Sequence, residues 1–409
     1  MTRRLTLCHT SDWHLGHTLH GHPREEEHAA FLAFLLDVLE REAVDGLLVA
    51  GDVFDSANPP ASAQAMLYAF LADARRRMPS LDVLITAGNH DSPGRLAAAD
   101  PVLRAIGVRV VGTARDDMVV PLHDTRGVAA WVAAVPYLRP SDLPRVTEGD
   151  PMVEGVRAVY AEVLAAARAR REPTQALLAM GHCHMVDATP SELSERKILG
   201  GPQHALPADL FGDDVGYVAL GHLHLAQAVT ERVHYSGSPI PLSLPEESYP
   251  HQVRIVRFED GRPAAQATHR VPRLVDVYRV PRDGPGTLEE VLAQLDALEA
   301  PADVPHSRQP LLDVRVRLDV PVPDLRQQIE AALEGKAVRL VKIGVEYAGV
   351  AGPLAEVVPP RRQLGDLTVE EVFRQSYARR FEGDPSPALL AAFHEVAEAA
   401  RHRLEEGGT

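Results

Sequence analysis

Five short polar runs, each closing an apolar stretch, constrain this chain more than any other feature: DWHLG at 12–16, GDVFD at 51–55, GNHD at 88–91, GH at 181–182 and GHLH at 221–224. The apolar stretches before them run from Leu5 to Cys8, Gly46 to Ala50, Val83 to Thr86, Ala176 to Met180 and Val215 to Leu220. Short apolar runs bounded by glycine are the signature of buried strands, and a site carried at the carboxyl ends of such strands is the expected result. The residues delivered there are Asp and Asn oxygens and imidazoles, a donor set that suits divalent ions such as manganese, iron or zinc. Two such ions held about 3.5–4 Å apart can clamp the attacking and leaving oxygens of a phosphoryl transfer. The chain therefore reads as a metal-dependent phosphoesterase.

Between the runs, 24–42 carries apolar residues at helical spacing, and 59–78 opens with proline and ends in basic residues, as helices do. A further helix fits 151–171. From about 226 to 271 the pattern turns to strands joined by turns, and this late consecutive run argues for a layered α/β sandwich over a simple doubly wound sheet. A second unit spans 274–347 and reads strand, helix, strand, helix, strand, with the strand at 311–320 alternating apolar and charged residues as if one face met solvent. It holds no cluster of ligand-type residues, so a cap or specificity domain is expected. The Gly- and Pro-rich 348–366 reads as a linker. Beyond it TVEE at 368–371 fits a capping box, and Val369, Val372, Phe373 and Tyr377 share one helical face. A second helix from Ser386 carries Leu389, Phe393, Val396, Ala400 and Leu404 along one stripe. Two short helices with no core of their own either fold back or dock another protein, with Phe373 and Phe393 as the central apolar anchors. The expected division is thus 1–272, 273–350, a linker at 351–366 and helices within 367–406.

Composition sets outer limits. A chain of 409 residues with 45% hydrophobic residues is long enough for two or three domains. No apolar run approaches the roughly 20 residues of a membrane span, and the start shows no signal-type stretch, which points to the cytoplasm. Two cysteines, Cys8 and Cys183, cannot build a disulfide framework. The net charge of −15 repels phosphate as a whole-molecule field, so a nucleic-acid substrate would have to be met by bound cations and local basic groups. The clusters at Arg75 to Arg77, Arg168 to Arg171 and Arg361 to Arg362 read as solvated helix faces or linker.

The order D-x-H, G-D-x-x-D, G-N-H-D, H, G-H-x-H resembles the calcineurin-like metallophosphoesterases, an α/β/β/α four-layer sandwich. Within them, CHTSDWHLGHTL at 8–19, REEEHAAFLAFLL at 24–36, YVALGHLHLAQAV from 217 and VHYSGSPIPLSLPEES ending at 248 are similar to the SbcD family, the nuclease subunits of bacterial double-strand-break repair complexes. The resemblance implies that Asp12, His14 and His224 hold one metal, that Asn89, His182 and His222 hold the other, and that Asp52 bridges both. A carboxylate has two oxygens with which to span two ions, whereas an imidazole offers one lone pair. It implies manganese (with magnesium, iron or zinc as alternatives), a DNA substrate cut as duplex ends and hairpins, a homodimer, and a complex with the SbcC ATPase. His90 is expected to act on the transition state or the leaving oxygen, with Asp91 orienting its ring. Asp55, where some nucleases of the wider family carry histidine, is expected to play a supporting part. Of GHCHM, the resemblance places only His182 as a ligand, and His17, His20 and His22 read as solvated loop residues. The same fold also serves small-molecule and nucleotide phosphodiesterases, and a chain that chiefly binds DNA ends and recruits a partner is a further reading; the intact ligand set speaks against the latter.

Overall fold

The computed structural model describes residues 2–189, 205–300 and 304–347, with single positions at 370, 373, 374, 377, 385, 389, 390, 393, 394, 396 and 397. The expected linker at 351–366 and most of the terminal helices lie outside the described residues. Two compact units part between Leu274 and Val275.

The first unit is built on two six-stranded sheets. One runs, in spatial order, Arg262–Arg270, Gln252–Glu259, Arg4–Thr10, Gly46–Ala50, Asp82–Thr86 and Val108–Val111. The other runs Gln227–Ala228, Val233–Tyr235, Tyr217–Gly221, Ala176–His182, Gly127–Ala134 and Val119–Asp124. Within each sheet the strands that end in the ligand-type runs are parallel to one another, so their carboxyl ends emerge on one side. GLLVA at 46–50 is buried at every position, as a central parallel strand covered on both faces must be.

Three apolar cores define four layers. Helices Glu25–Arg41 and Ala61–Arg77 pack Phe31, Leu35, Leu67 and Phe70 against the outer face of the first sheet. Leu7, Leu48, Leu84, Val132, Leu178 and Ala219 fill the space between the sheets. Helix Pro151–Arg170 lays Val159, Tyr160 and Val163 on the outer face of the second sheet. Its start is capped by Asp150, whose Oδ1 accepts from the Met152 and Val153 amides at 2.8 and 3.2 Å. The sequence reading assigns no element to 108–134, yet three strands lie there. GVAAWVAA lacks both alternation and β-branched enrichment; it becomes a strand because it pairs with Ala176–His182 and is packed on both faces.

In the second unit, Leu311–Leu318 pairs in parallel with Val277–Val280, Gly286–Thr287 and Arg339–Tyr347. Helices Leu288–Asp296 and Leu325–Ala332 set Val291, Leu295 and Ile329 against Leu312, Val314 and Val316. The charged face of that central strand is not simply solvated. Asp313 is 2% exposed and meets Arg279 at 3.3 Å across the pairing, which lets a charge sit where alternation alone would place it in water. Among the described residues no helix is long and apolar enough to cross a membrane.

The strand ends of the two sheets approach closely, and glycine makes that possible. A Cβ on Gly221 would stand 1.9 Å from the Ala50 carbonyl oxygen and 2.9 Å from the Ser11 Cβ. The Ala50 carbonyl cannot yield without moving the strand that leads to Asp52, and the Ser11 Cβ is fixed to the backbone just before Asp12. Gly221→Ala should therefore destabilise the chain by about 3 kcal/mol or more, at the upper end of overpacking costs. Urea unfolding read by circular dichroism checks this, and a near-native midpoint would show that the strand ends can part.

Candidate metal centre

The turns that follow the strands are wound into an unfavourable backbone region. Asp12, His14, Asp52 and His222 all have positive φ, at 54°, 47°, 48° and 100°. Non-glycine residues adopt this rarely, and it persists only where surrounding bonds impose it. Here they do. The Asp12 amide donates to the Gly51 carbonyl at 3.0 Å, the His14 amide to the Asp52 carbonyl at 3.0 Å, and the Leu15 amide to the Val53 carbonyl at 2.9 Å, so the first two loops form a short ladder. The His222 amide donates to Asp12 Oδ1 at 2.9 Å and ties in the second sheet.

Two sets of donors result. His182 Nε2 and His222 Nδ1 each lie 3.0 Å from Asn89 Oδ1. Ligand atoms at right angles around an ion with bonds of about 2.1 Å would stand about 3 Å apart, so this spacing fits a shared divalent ion. The second set is Asp12, His14 and His224, whose candidate ligand atoms all lie within 4.8 Å of one another. Between the sets stands Asp52, with Oδ2 3.3 Å from His182 Nε2 and 3.5 Å from His14 Nε2. Its other oxygen, Oδ1, accepts the His90 amide at 2.8 Å. Any bridging thus falls to one oxygen, where the sequence reading used both; the backbone occupies the second. His14 Nε2 is buried with no hydrogen-bond partner, an arrangement that costs free energy unless a cation takes the lone pair. The oxygens and imidazoles present therefore fit a pair of divalent ions.

Ring orientation is set from behind. His182 Nδ1 faces the Ala50 carbonyl at 2.9 Å; a carbonyl only accepts, so Nδ1 carries a proton and Nε2 is the atom turned toward Asn89 Oδ1 and Asp52 Oδ2, free to serve as a ligand once its own proton is displaced. His224 Nδ1 in the same way faces Glu246 Oε1 at 3.1 Å. Burial opposes a charge on His182, but the Asp52 carboxylate outweighs it and lifts the ring to about 9. Burial likewise opposes charge on His224, and Glu246 lifts it to about 9. His222 is pushed well down by burial and by its neighbour His182. Burial would raise Asp52, yet the surrounding histidines hold it well below the carboxylate range. Asp55, also opposed by burial, is held at about 2 by its hydrogen bond from His14.

Asp91 does not orient the His90 ring. Its carboxylate accepts from the backbone amides of Gly88, Val53 and Phe54 at 2.9, 3.2 and 2.9 Å, joining the second and third loops. Burial and the nearby Asp52 charge raise it to about 6. The His90 ring is instead fixed by its Nδ1–H on the Asp55 carbonyl at 2.8 Å, while Asp55 Oδ1 meets His14 Nδ1 at 3.2 Å. Asp55 thus steers two rings at once. His17 also departs from expectation: it is half-buried, its ring held down at about 4 by burial, whereas His20 is exposed. Neither Cys183 nor His184 belongs to the groups able to hold a metal among the described residues. Phe373 and Phe393 lie in the second unit and stack on each other, ring centroids 4.1 Å apart and planes 13° apart.

Residues 5–226 match the calcineurin-like phosphoesterase family, and residues 273–381 match the family described as the type 5 capsule protein repressor C-terminal domain. The chain is 41% identical to the SbcD subunit of the SbcCD nuclease of Rhodobacter capsulatus over 91% of its own length and 94% of that protein's. It is 32% identical to the Escherichia coli K12 counterpart over 91% of this chain and 93% of the relative. With the Bacillus subtilis counterpart it shares 33% identity over 64% of this chain and 68% of the relative. The chain is a calcineurin-like phosphoesterase and, within that class, belongs to the SbcD family; the class implies divalent metal ions, and the donor cluster is a possible site for them.

Sequence reasoning missed Glu246, which is 1% exposed. Besides His224 it accepts from the Leu242 amide at 2.9 Å and the Ser243 hydroxyl at 3.0 Å, and against the cost of burial His224 holds it at about 2. It also missed Ser11, which donates to Asp12 Oδ2 at 2.5 Å and meets the Ser236 hydroxyl at 2.7 Å. The signal was present in SGSPIPLSLPEES, but only folding brings that run behind the histidine. Partners that fix a metal-binding histidine are worth about 10–100-fold in metal affinity. Glu246→Gln should weaken manganese binding by that factor for one of two ions, read by titration under electron paramagnetic resonance; in a His224→Ala background it should add nothing. Unchanged affinity would show that Glu246 only braces its own loop.

Proposed function

We propose that this chain is a metal-dependent nuclease subunit that hydrolyses DNA phosphodiester bonds, as a 3′ to 5′ exonuclease on duplex ends and an endonuclease on single strands and hairpins. The observation that carries the reading is the pair of donor sets sharing Asp52 Oδ2 in a chain of the SbcD family. Asp12, His14 and His224 would hold one ion and Asn89, His182 and His222 the other, with Asp52 shared between the two sets. Manganese suits this mixed imidazole and oxygen set. Divalent ions bound there would supply charge neutralisation for the phosphodiester oxygens and a more acidic water. His90, with Nδ1–H committed to the Asp55 carbonyl, acts as the imidazolium: Nε2–H gives its proton to the leaving oxygen and the ring is left neutral, with Nδ1–H still on Asp55. Asp91 holds the loops from which His90 and Asp52 project. A small-molecule diesterase would use the same centre; the relatives named above favour the nuclease.

The chain works in the cytoplasm as a homodimer with the SbcC ATPase. The unit from Val275 guides DNA, and the helices bearing Phe373 and Phe393 dock the partner. The Phe373 and Phe393 rings, both half-buried, stack on each other and so offer one shared apolar patch. Side-by-side hydrolysis of bis-p-nitrophenyl phosphate and hairpin DNA, with and without manganese, tests the reading; a chain that cuts only the diester is not a nuclease.

Three substitutions divide the roles. Asp52→Asn should abolish hydrolysis and lower the affinity for both ions, and normal metal content with near-native activity would refute the bridge. His90→Ala should keep two ions and lose about 10²–10⁴-fold in kcat, the range of a general acid; collapse of metal content would make it a ligand. Replacing Phe373 and Phe393 together with Asp should lower SbcC binding and ATP-stimulated duplex cleavage while diester hydrolysis by the free chain persists. Loss of that basal hydrolysis would make these helices part of the chain's own core.

A further inference from the structure

Beside the metal centre lies a segment the mechanism leaves unused, YLRP at 137–140. It is braced between strands that deliver ligands. The Tyr137 amide donates to the Ala87 carbonyl at 2.8 Å, just before Asn89, and the Val135 amide to the Met180 carbonyl at 3.3 Å, just before His182. The Tyr137 ring stands edge-on to the His182 ring, centroids 6.2 Å apart at 82°. Over the Tyr137 ring lies the Arg139 guanidinium, its Cζ 5.7 Å from the centroid. Arg139 is half-buried, and among the described residues no carboxylate pairs with it. The nearest acidic neighbour in sequence, Asp142, is committed to the backbone: Oδ2 accepts the Arg139 amide at 2.9 Å, and the Asp142 amide donates to the Arg139 carbonyl at 2.9 Å.

Resting on the nuclease reading, we propose that Arg139, held over Tyr137, binds a phosphate of the substrate strand adjacent to the scissile one. A guanidinium presents a planar fork of donors that matches phosphate, and stacking on an aromatic face reduces the freedom lost on binding. Several arginines beside the folded core are neutralised, as Arg24 is by Glu27, Arg168 by Asp214 and Arg257 by Glu42. Arg170 also lies over an aromatic ring, that of Trp131, but only Arg139 does so on a ring that meets a proposed ligand, His182. With a net charge of −15, an unneutralised guanidinium one aromatic ring away from His182 supplies local attraction where a polyanion must come in. The intervening Tyr137 keeps it off the scissile group itself, so the contact is to a neighbouring phosphate.

The test compares two substrates on the full chain with manganese: bis-p-nitrophenyl phosphate, which has a single phosphate, and a single-stranded oligonucleotide. Arg139→Gln should lower the ratio of oligonucleotide to diester kcat/KM about tenfold, through KM. It should also reduce the slope of log KM against log salt by about 1, as expected for one lost phosphate contact. Arg139→Lys should keep most of the salt slope, since the charge remains, yet bind more weakly without the fork. Tyr137→Leu, which removes the support, should shift the ratio in the same direction by less. Equal losses on both substrates, or an unchanged ratio and slope in Arg139→Gln, would overturn the inference while leaving the nuclease reading intact. A wild-type chain inert on the oligonucleotide would overturn both.

Discussion

A buried carboxylate, Asp52, organises this structure. It is 2% exposed and flanked by His182, His14 and the His90 amide, in a backbone conformation that disfavours any side chain. An isolated carboxylate in such a place would cost several kcal/mol, so the chain must bring cationic or hydrogen-bonding groups to it from several directions. Those groups come from both sheets. The four-layer packing is what lets a residue after position 50 meet one at position 182 with both side chains in register.

The close approach has a steric condition as well as an electrostatic one. A Cβ on Gly88 would lie 2.1 Å from Asp52 Oδ1, and one on Gly51, itself at φ 84°, would lie 2.2 Å from His182 Nδ1. Gly51 and Gly88 therefore leave the space into which a side chain from another loop fits. The polar scaffold behind the ligands follows the same logic: Asp91, Asp55, Glu246 and Ser11 each bond a backbone amide or a ligand residue, so that few ligand atoms depend on their own loop alone. The price is a set of buried charges that must all be matched at once.

Much of this was legible in the chain. Apolar runs closed by Gly, Asp, Asn and His mark strand ends and donor type, because burial requires the first and metal chemistry the second. The helices at 25–41, 61–77 and 151–170 follow from local spacing. The strands within 108–134 do not, because Ala-rich segments take their conformation from neighbours. Asp91 was misread for a related reason. Its place beside His90 suggested a contact with that ring, whereas the turn directs it to the Val53 and Phe54 amides, more than thirty-five residues away in sequence.

Sequence alone thus determined which strands exist around the site, which donor atoms they carry and the family to which the chain belongs, since these depend on residue type and short-range order. Tertiary structure decided how the donors divide: one Asp52 oxygen between two sets, a carbonyl of Asp55 behind His90, a distant Glu246 behind His224 and a guanidinium stacked over Tyr137. All but the last are contacts between residues tens to hundreds of positions apart, and the last matters because Tyr137 in turn meets His182. Only the packing of two sheets face to face sets their distances and directions, and no local pattern encodes them.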